Sequence, residues 1–288
     1  MEPMEIDRRD RSVVTDDGVE LATTTYAPTA TPEAAVVINS AMAVHRRFYE
    51  DFAAWLAEQG FSVVTYDYRG TGGSGADDLA GCDASIEDWF GRDMAAIVEW
   101  TRAEWDVETL YMIGHSLGGQ VMGLIGDRFD IDAAVTLSAQ SGYWRYQYPG
   151  EEWKLLVFAG LIAPLVTRLV GYLPWSAVFG GEDIPKRVAL QWAAGCRHPD
   201  YLLANDILAD TTGFGRFSAP ILAYSFDDDV WGFEKAVDAM MDHYMAAPVE
   251  RIHITPEDVG LDRIGHFGFF GSEMTALWRD LLERLEAV

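Results

Sequence analysis

Thr109-Leu110-Tyr111-Met112-Ile113 runs straight into Gly114-His115-Ser116-Leu117-Gly118, a G-x-S-x-G pentapeptide behind an apolar segment rich in β-branched and aromatic residues. Such a segment reads as a strand. Beyond the pentapeptide, apolar residues at 117, 121, 122, 124 and 125 approach a helical stripe, so a helix is expected over 117–128. A serine between the two sits on a sharp turn, and flanking glycines give the backbone room to make it. That is the setting in which a serine becomes a nucleophile; an ordinary serine in a glycine-rich turn is the plainer alternative.

Outward from this turn, strands and helices alternate. A hairpin is expected around Asp16-Asp17-Gly18, from runs at 12–15 and 19–26. Strands at 35–39, 61–68 and 109–113 then alternate with helices at 47–59 and 85–104. Gly60 is placed to close the first of these helices, and Ser85 with Asp88 resembles a capping box opening the second. A strand at 133–137 follows, and after a long gap the pattern resumes with strands at 221–226 and 251–255 and helices at 233–244 and 272–286. Apolar strands joined by helices imply a mostly parallel central sheet with both faces covered. The gap, 143–217, is rich in Trp, Tyr, Pro and Gly, shows no strand, and reads as a helical insertion into a core of residues 1–142 and 218–288.

Composition narrows the function. At 288 residues, 49% hydrophobic and 23% charged, the chain is an ordinary globular protein. Its net charge of −25 disfavours nucleic acid and anionic membrane surfaces. With only three lysines among its cations, it suggests a salty habitat or a very acidic solvated surface. Cys82 and Cys196 offer neither a disulfide framework nor metal-ligand spacing, and the first ten residues lack the apolar run of a signal peptide. A reduced, cytoplasmic location is expected. The most apolar segment, 155–167, is too short to span a bilayer and reads as a buried or interfacial helix, without stable membrane insertion. Nothing in the sequence speaks to an oligomeric partner.

A nucleophilic serine needs a base and an acid that orients it. Of six histidines, His266 alone lies in a loop after the last strand, in Gly265-His266-Phe267-Gly268. In an open parallel sheet, that loop reaches the same edge as Ser116. His115 abuts the serine and is expected to point elsewhere. The acid should leave a strand at the same edge, where Asp227, Asp228 and Asp229 follow 221–226; an acidic helix entry or a calcium site would use the same residues. Gly70-Thr71-Gly72-Gly73-Ser74-Gly75 nominally fits a dinucleotide loop, but Asp77 and Asp78 follow it and the next helix begins only near Ser85. A structural loop is the better reading.

These segments together resemble the α/β-hydrolase superfamily of serine hydrolases: Gly114–Gly119 as nucleophile elbow, the D-x-R-G-x-G-x-S loop of Asp67 to Ser74, and Gly265-His266-Phe267 after the last strand. The order Ser, Asp, His agrees. More narrowly, Ser141-Gly142-Tyr143-Trp144, Cys196-Arg197-His198-Pro199 and Gly265 to Phe270 resemble a bacterial group of capped α/β-hydrolases of unassigned substrate. The resemblance implies Asp228 as the acid, with Asp229 and then Asp227 behind it. It implies a backbone oxyanion hole from Ala41 and Leu117, with Met42 competing for the first place. Many relatives have His-Gly where this chain has Asn39-Ser40-Ala41-Met42.

The expected chemistry is attack by Ser116 on the ester, or related acyl bond, of a small-molecule substrate, with His266 as base and no metal or organic cofactor. The insertion would form a helical cap, with Met42, Trp144, Tyr146 and Trp192 as candidate substrate contacts, and Trp153 and Trp175 also available. Hydrolysis of short peptides, acyl transfer to an alcohol or thiol, and a non-catalytic ligand receptor on the same scaffold are the alternatives.

Overall fold

The computed structural model describes residues 4–32 and 34–288. Among the described residues ten strands form, in chain order: β1 (Ile6–Val14), β2 (Glu20–Pro28), β3 (Ala34–Asn39), β4 (Phe61–Tyr66), β5 (Leu110–His115), β6 (Ala133–Leu137), β7 (Tyr172–Leu173), β8 (Ile184–Pro185), β9 (Ile221–Phe226) and β10 (Val249–Ile254). Eight of them make one sheet in the order β1-β2-β4-β3-β5-β6-β9-β10. The opening hairpin β1–β2 is antiparallel and joins β4 antiparallel, while every pairing from β4 to β10 is parallel. This is the α/β-hydrolase fold.

Alternation along the strands builds two cores. Val37 of β3, Val64 of β4 and Met112 of β5 face a layer containing Trp89, Met94 and Ile97. Their neighbours Val36, Ile38, Val63 and Ile113 face the opposite layer, with Phe52, Leu56, Trp278 and Leu281. Each fully buried aliphatic side chain contributes about 1.5–3 kcal/mol, so a continuous apolar run such as Val36-Val37-Ile38 stabilises both layers at once. Helices Glu50–Glu58 and Thr275–Ala287 cover one face, and helix Met94–Trp105 the other. Gly60, at φ +107, closes the first helix with its N–H on the Ala57 carbonyl. Ser85 and Asp88 form the expected capping box.

Three elements depart from the sequence expectations. The helix after Ser116 is only Leu117–Gln120, followed by a 3-10 turn at Met122–Ile125. Phe214 packs where a Cβ on Gly123 would sit, and Gly126 turns left-handed at φ +56, so the segment bends rather than continuing. The 143–217 insertion contains a small strand pair, β7 with β8. Its apolar segment belongs to a longer helix, Glu152–Val170, long and apolar enough by length and composition to cross a membrane; only 17% of its apolar window is buried. The segment 155–167, expected to be too short to span a bilayer and to be buried or interfacial, is thus extended at both ends: the helix takes in Lys154 and Arg168 and stops at Val170, where Gly171 turns left-handed at φ +96.

The glycine-rich loop after β4 is held by an ion pair. Asp67, 1% exposed, accepts from the Arg46 guanidinium, from the Arg46 amide at 2.7 Å and from the Gly73 amide at 2.8 Å. A Cβ on Gly72 would lie 2.5 Å from the same carboxylate. The loop thus closes on an internal anion, as its structural reading requires. Removing one partner of such a buried pair strands the other charge. Asp67→Ala is expected to lower unfolding free energy by about 3–5 kcal/mol in urea titration.

Candidate active site

The strand-to-helix turn at Ser116 has φ 49° and ψ −120°, a conformation that L-residues adopt only at a cost of about 1–3 kcal/mol. Close packing holds it there. A Cβ on Gly114 would fall 2.4 Å from the Gly119 Cα, and one on Gly118 would fall 2.3 Å from the Asn39 carbonyl oxygen. The Ser116 amide donates to the Leu137 carbonyl of β6 at 2.8 Å. These contacts press the turn against β3 and β6 and present the serine, 8% exposed, at the wall of a cavity of about 570 Å³.

His266 lines the same cavity from the loop after β10. Its Nδ1 meets Asp229 Oδ2 at 2.8 Å, and the other Asp229 oxygen accepts the Trp231 and Gly232 amides at 2.9 and 2.8 Å. Burial pushes the Asp229 carboxyl upward, but the His266 imidazole and the Gly232 amide outweigh it and hold the group at about 2. Its ring partner and the backbone amides thus favour the Asp229 carboxylate as the anion. The Trp231 ring packs on His266, centroids 5.4 Å apart.

The acid at the imidazole is thus Asp229, where the sequence reading favoured Asp228. A turn after β9, closed by the Asp229 amide on the Phe226 carbonyl, carries the third aspartate rather than the second toward the histidine. Asp228 instead accepts the Ile264 and Gly265 amides at 2.9 and 2.8 Å and so anchors the loop that bears His266. Asp227 points outward, with its carboxylate 3.6 Å from the His253 ring. The three carboxylates serve separate partners, and among the described residues no group of three acidic, His or Cys side chains is arranged to hold a metal.

Against this geometry, a family model described as serine aminopeptidase, S33, matches residues 30–219. The chain belongs to this family of α/β hydrolases. Solved structures agree on the fold. An esterase of Pyrococcus furiosus is 15% identical with TM-score 0.64, over 97% of this chain and 90% of its own. A hypothetical protein of Pseudomonas aeruginosa is 17% identical with TM-score 0.65, over 98% and 94%. Est1E of Butyrivibrio proteoclasticus, solved with ferulic acid bound, is 17% identical with TM-score 0.61, over 96% and 100%.

Within this α/β-hydrolase, one member of the expected pair of backbone donors, Ala41 and Leu117, has its N–H already engaged. Ala41 and Leu117 both line the cavity, but the Ala41 N–H is occupied, donating to the Tyr49 hydroxyl at 2.8 Å. Met42 also lines the cavity, and its N–H meets no acceptor among the described residues. The free first amide is therefore that of Met42, across from Leu117 at the start of its helix. The oxygen that takes the Ala41 proton comes from Tyr49, a residue of the helix entry that no motif marks.

His115 links these parts. A carbonyl can only accept, so the 2.9 Å contact of its Nε2 with the His266 carbonyl fixes the proton on Nε2. Its Nδ1 then accepts from the Tyr49 hydroxyl at 3.0 Å. Complete burial, with the neighbouring His266 adding to it, pulls the His115 imidazole down to about 3. One neutral ring therefore ties the Ala41 turn, the elbow and the His266 loop together.

The aromatic expectations divide. Trp192 and Met42 line the cavity, as do Trp153 and Trp175. Trp144 and Tyr146 do not: Arg145 stacks over Trp144 at 4.9 Å and Lys235 over Tyr146 at 5.2 Å. Both lie on a 3-10 turn between the cavity-lining Gly142 and Gln147, and it directs their rings onto these cations instead. Trp231 and Phe267, each beside a site residue, line the cavity in their place.

Two outcomes follow from this site. Asp229→Asn is expected to lower kcat by about 10⁴-fold, because it releases the tautomer that a carboxylate enforces. Asp228→Asn keeps one acceptor for the loop amides, so steady-state kinetics should show a loss of no more than about 10-fold; equal losses in the two variants would refute the assignment. His115 titrates in the unfolded chain near 6.5 but in the folded chain only near 3. Between those values the unfolded state binds the extra proton, so acidification destabilises the native protein. His115→Gln should recover about 2 kcal/mol of the native protein's loss in stability between pH 7 and pH 5, read from urea titrations at the two pH values.

Proposed function

We propose that the protein is a carboxylesterase-like serine hydrolase acting through a Ser116–His266–Asp229 triad. The observation that carries this reading is the His266 imidazole, which spans from the buried Asp229 carboxylate to the cavity wall that holds Ser116. Ser116 Oγ attacks the acyl carbonyl while His266 takes its proton. Asp229 holds the imidazole and stabilises the imidazolium that forms. The oxyanion is received by the Met42 and Leu117 amides, each worth on the order of 10²- to 10³-fold in rate. Collapse of the tetrahedral intermediate expels the alcohol, which takes the proton back from His266. Water, deprotonated by the same ring, then releases the acid.

The insertion from about 143 to 217 acts as a cap. It contributes Trp153, Phe158, Trp175 and Trp192 to the cavity, an apolar surround suited to an acyl or aryl group. The Pyrococcus furiosus esterase among the structural neighbours supports an ester as the substrate. The family's description favours a second reading, removal of residues from short peptides, for which Glu151 at the cavity could meet a substrate ammonium. That carboxylate is already engaged by Lys154 at 2.5 Å, so the ester reading ranks first.

A panel of p-nitrophenyl esters of graded chain length, run beside aminoacyl p-nitroanilides, tests the choice. Turnover of the esters, abolished in Ser116→Ala, is expected. Turnover confined to the anilides would reverse the two readings, and turnover surviving Ser116→Ala would overturn both.

A further inference from the structure

The cap helix Glu152–Val170 is turned inside out. Trp153, Val157, Leu161, Leu165 and Leu169 recur every four residues and are between 42 and 77% exposed. Its small side chains face inward: Ala159, Ala163 and Thr167 are buried, on the side that packs against the helix Lys186–Gly195. A surface helix ordinarily does the reverse. A four-residue spacing drifts by about 40° per step around a regular helix. Here the Ala163 amide reaches back five residues to the Phe158 carbonyl, and this wider turn offsets much of the drift, keeping the five large side chains on one side.

The stripe opens onto the active cavity. Trp153 and Val157 also line the cavity wall, as do Ile162 of the same helix and Phe179, whose ring centroid lies 5.8 Å from that of Phe158. Between Lys154 and Arg168 the helix carries no charged side chain. The charges at its N-terminal end offer nothing to an anion. Lys154 is paired with Glu151, Glu152 stands beside them, and Asp183 accepts from Ser176 at the start of the turn that carries Phe179.

We propose that this stripe docks on a lipid surface without net charge, the helix lying along it, and that the cavity draws long-chain acyl esters from that surface. The substrate half rests on the hydrolase reading; the docking half does not. Three observations choose the occupant. Side chains shared between the stripe and the cavity wall put whatever covers the helix directly at the mouth of the site, where an apolar acyl chain can pass from one to the other. The net charge of −25 repels anionic lipid and also a second copy of the chain, but not a neutral surface. The patch is small as well: nine large apolar side chains are exposed between 153 and 179, against about 20–30 residues a side in a stable protein interface. Docking on lipid needs only one apolar face. The opposite face is held in the cap by Ala159, Ala163 and Thr167, so the helix lies on the layer and does not span it.

Flotation with phosphatidylcholine vesicles, run on the full chain and on Leu165→Gln/Leu169→Gln, tests the docking. Both leucines lie on the stripe but not on the cavity wall. The native protein is expected to float with the vesicles, undiminished in molar salt, and the double variant to bind at least about 10-fold more weakly. Leu169→Gln alone serves if the double variant does not fold. Hydrolysis of p-nitrophenyl acetate in solution should be equal in the two proteins, while kcat/KM for p-nitrophenyl dodecanoate carried in the vesicles should fall with the binding. No flotation at millimolar lipid, equal flotation of the variant, or tighter binding to phosphatidylglycerol vesicles would overturn the proposal. So would a native dimer in sedimentation velocity that the substitutions dissolve, since a second copy would then be the occupant. Flotation lost in the variant while neither ester is turned over upholds the docking and sinks the hydrolase reading alone. Flotation lost while both proteins hydrolyse the dodecanoate equally refutes the substrate half.

Discussion

The backbone turn at Ser116 is the constraint on which the site depends. A non-glycine residue at φ 49° and ψ −120° is held only by what surrounds it. Here that is the absence of Cβ atoms at Gly114, Gly118 and Gly119, which lets the turn lie against Asn39 of β3 and Ala139 beyond β6. The same approach sets the start of helix Leu117–Gln120 beside the turn after β3, so that Met42, Leu117 and Ser116 line one cavity. Strain at one residue and close packing at three glycines are two descriptions of one arrangement.

Around this turn the fold converts sheet order into site order. β3, β5, β9 and β10 end at one edge, and the loops leaving them carry Met42, Ser116, Asp229 and His266. Loops alone would hold such residues loosely. Hydrogen bonds fix them: Asp228 on the Ile264 and Gly265 amides, Asp229 on Trp231 and Gly232, and His115, fully buried, between Tyr49 and the His266 carbonyl. Those of His115 and the Asp229–Gly232 bond are out of water, and each is worth more in position than it would be at the surface.

The alternation of apolar strands with helices, and the glycines of the elbow, make the parallel sheet and Ser116 legible in the sequence, because both follow from local pattern. His266 is legible because sheet topology sends its loop to the serine's edge. The choice among Asp227, Asp228 and Asp229 is not, since it turns on where one tight turn closes, and adjacent residues of one type leave no pattern to read. Ala41 resembles an oxyanion donor in sequence, but Tyr49, eight residues on, takes its proton through a contact that no spacing rule announces. Trp144 and Tyr146 mislead for a related reason: aromatic composition marks the insertion as a whole, while its path decides which rings reach the cavity.

The central claim is that the elbow makes Ser116 a nucleophile. It is tested most directly by treating the native protein with a fluorophosphonate at neutral pH and mapping the adduct by peptide mass spectrometry. The account predicts a single phosphonyl group on Ser116, lost in Ser116→Ala and slowed in Asp229→Asn. A native protein that takes up no label, or takes it up at another residue, would contradict it.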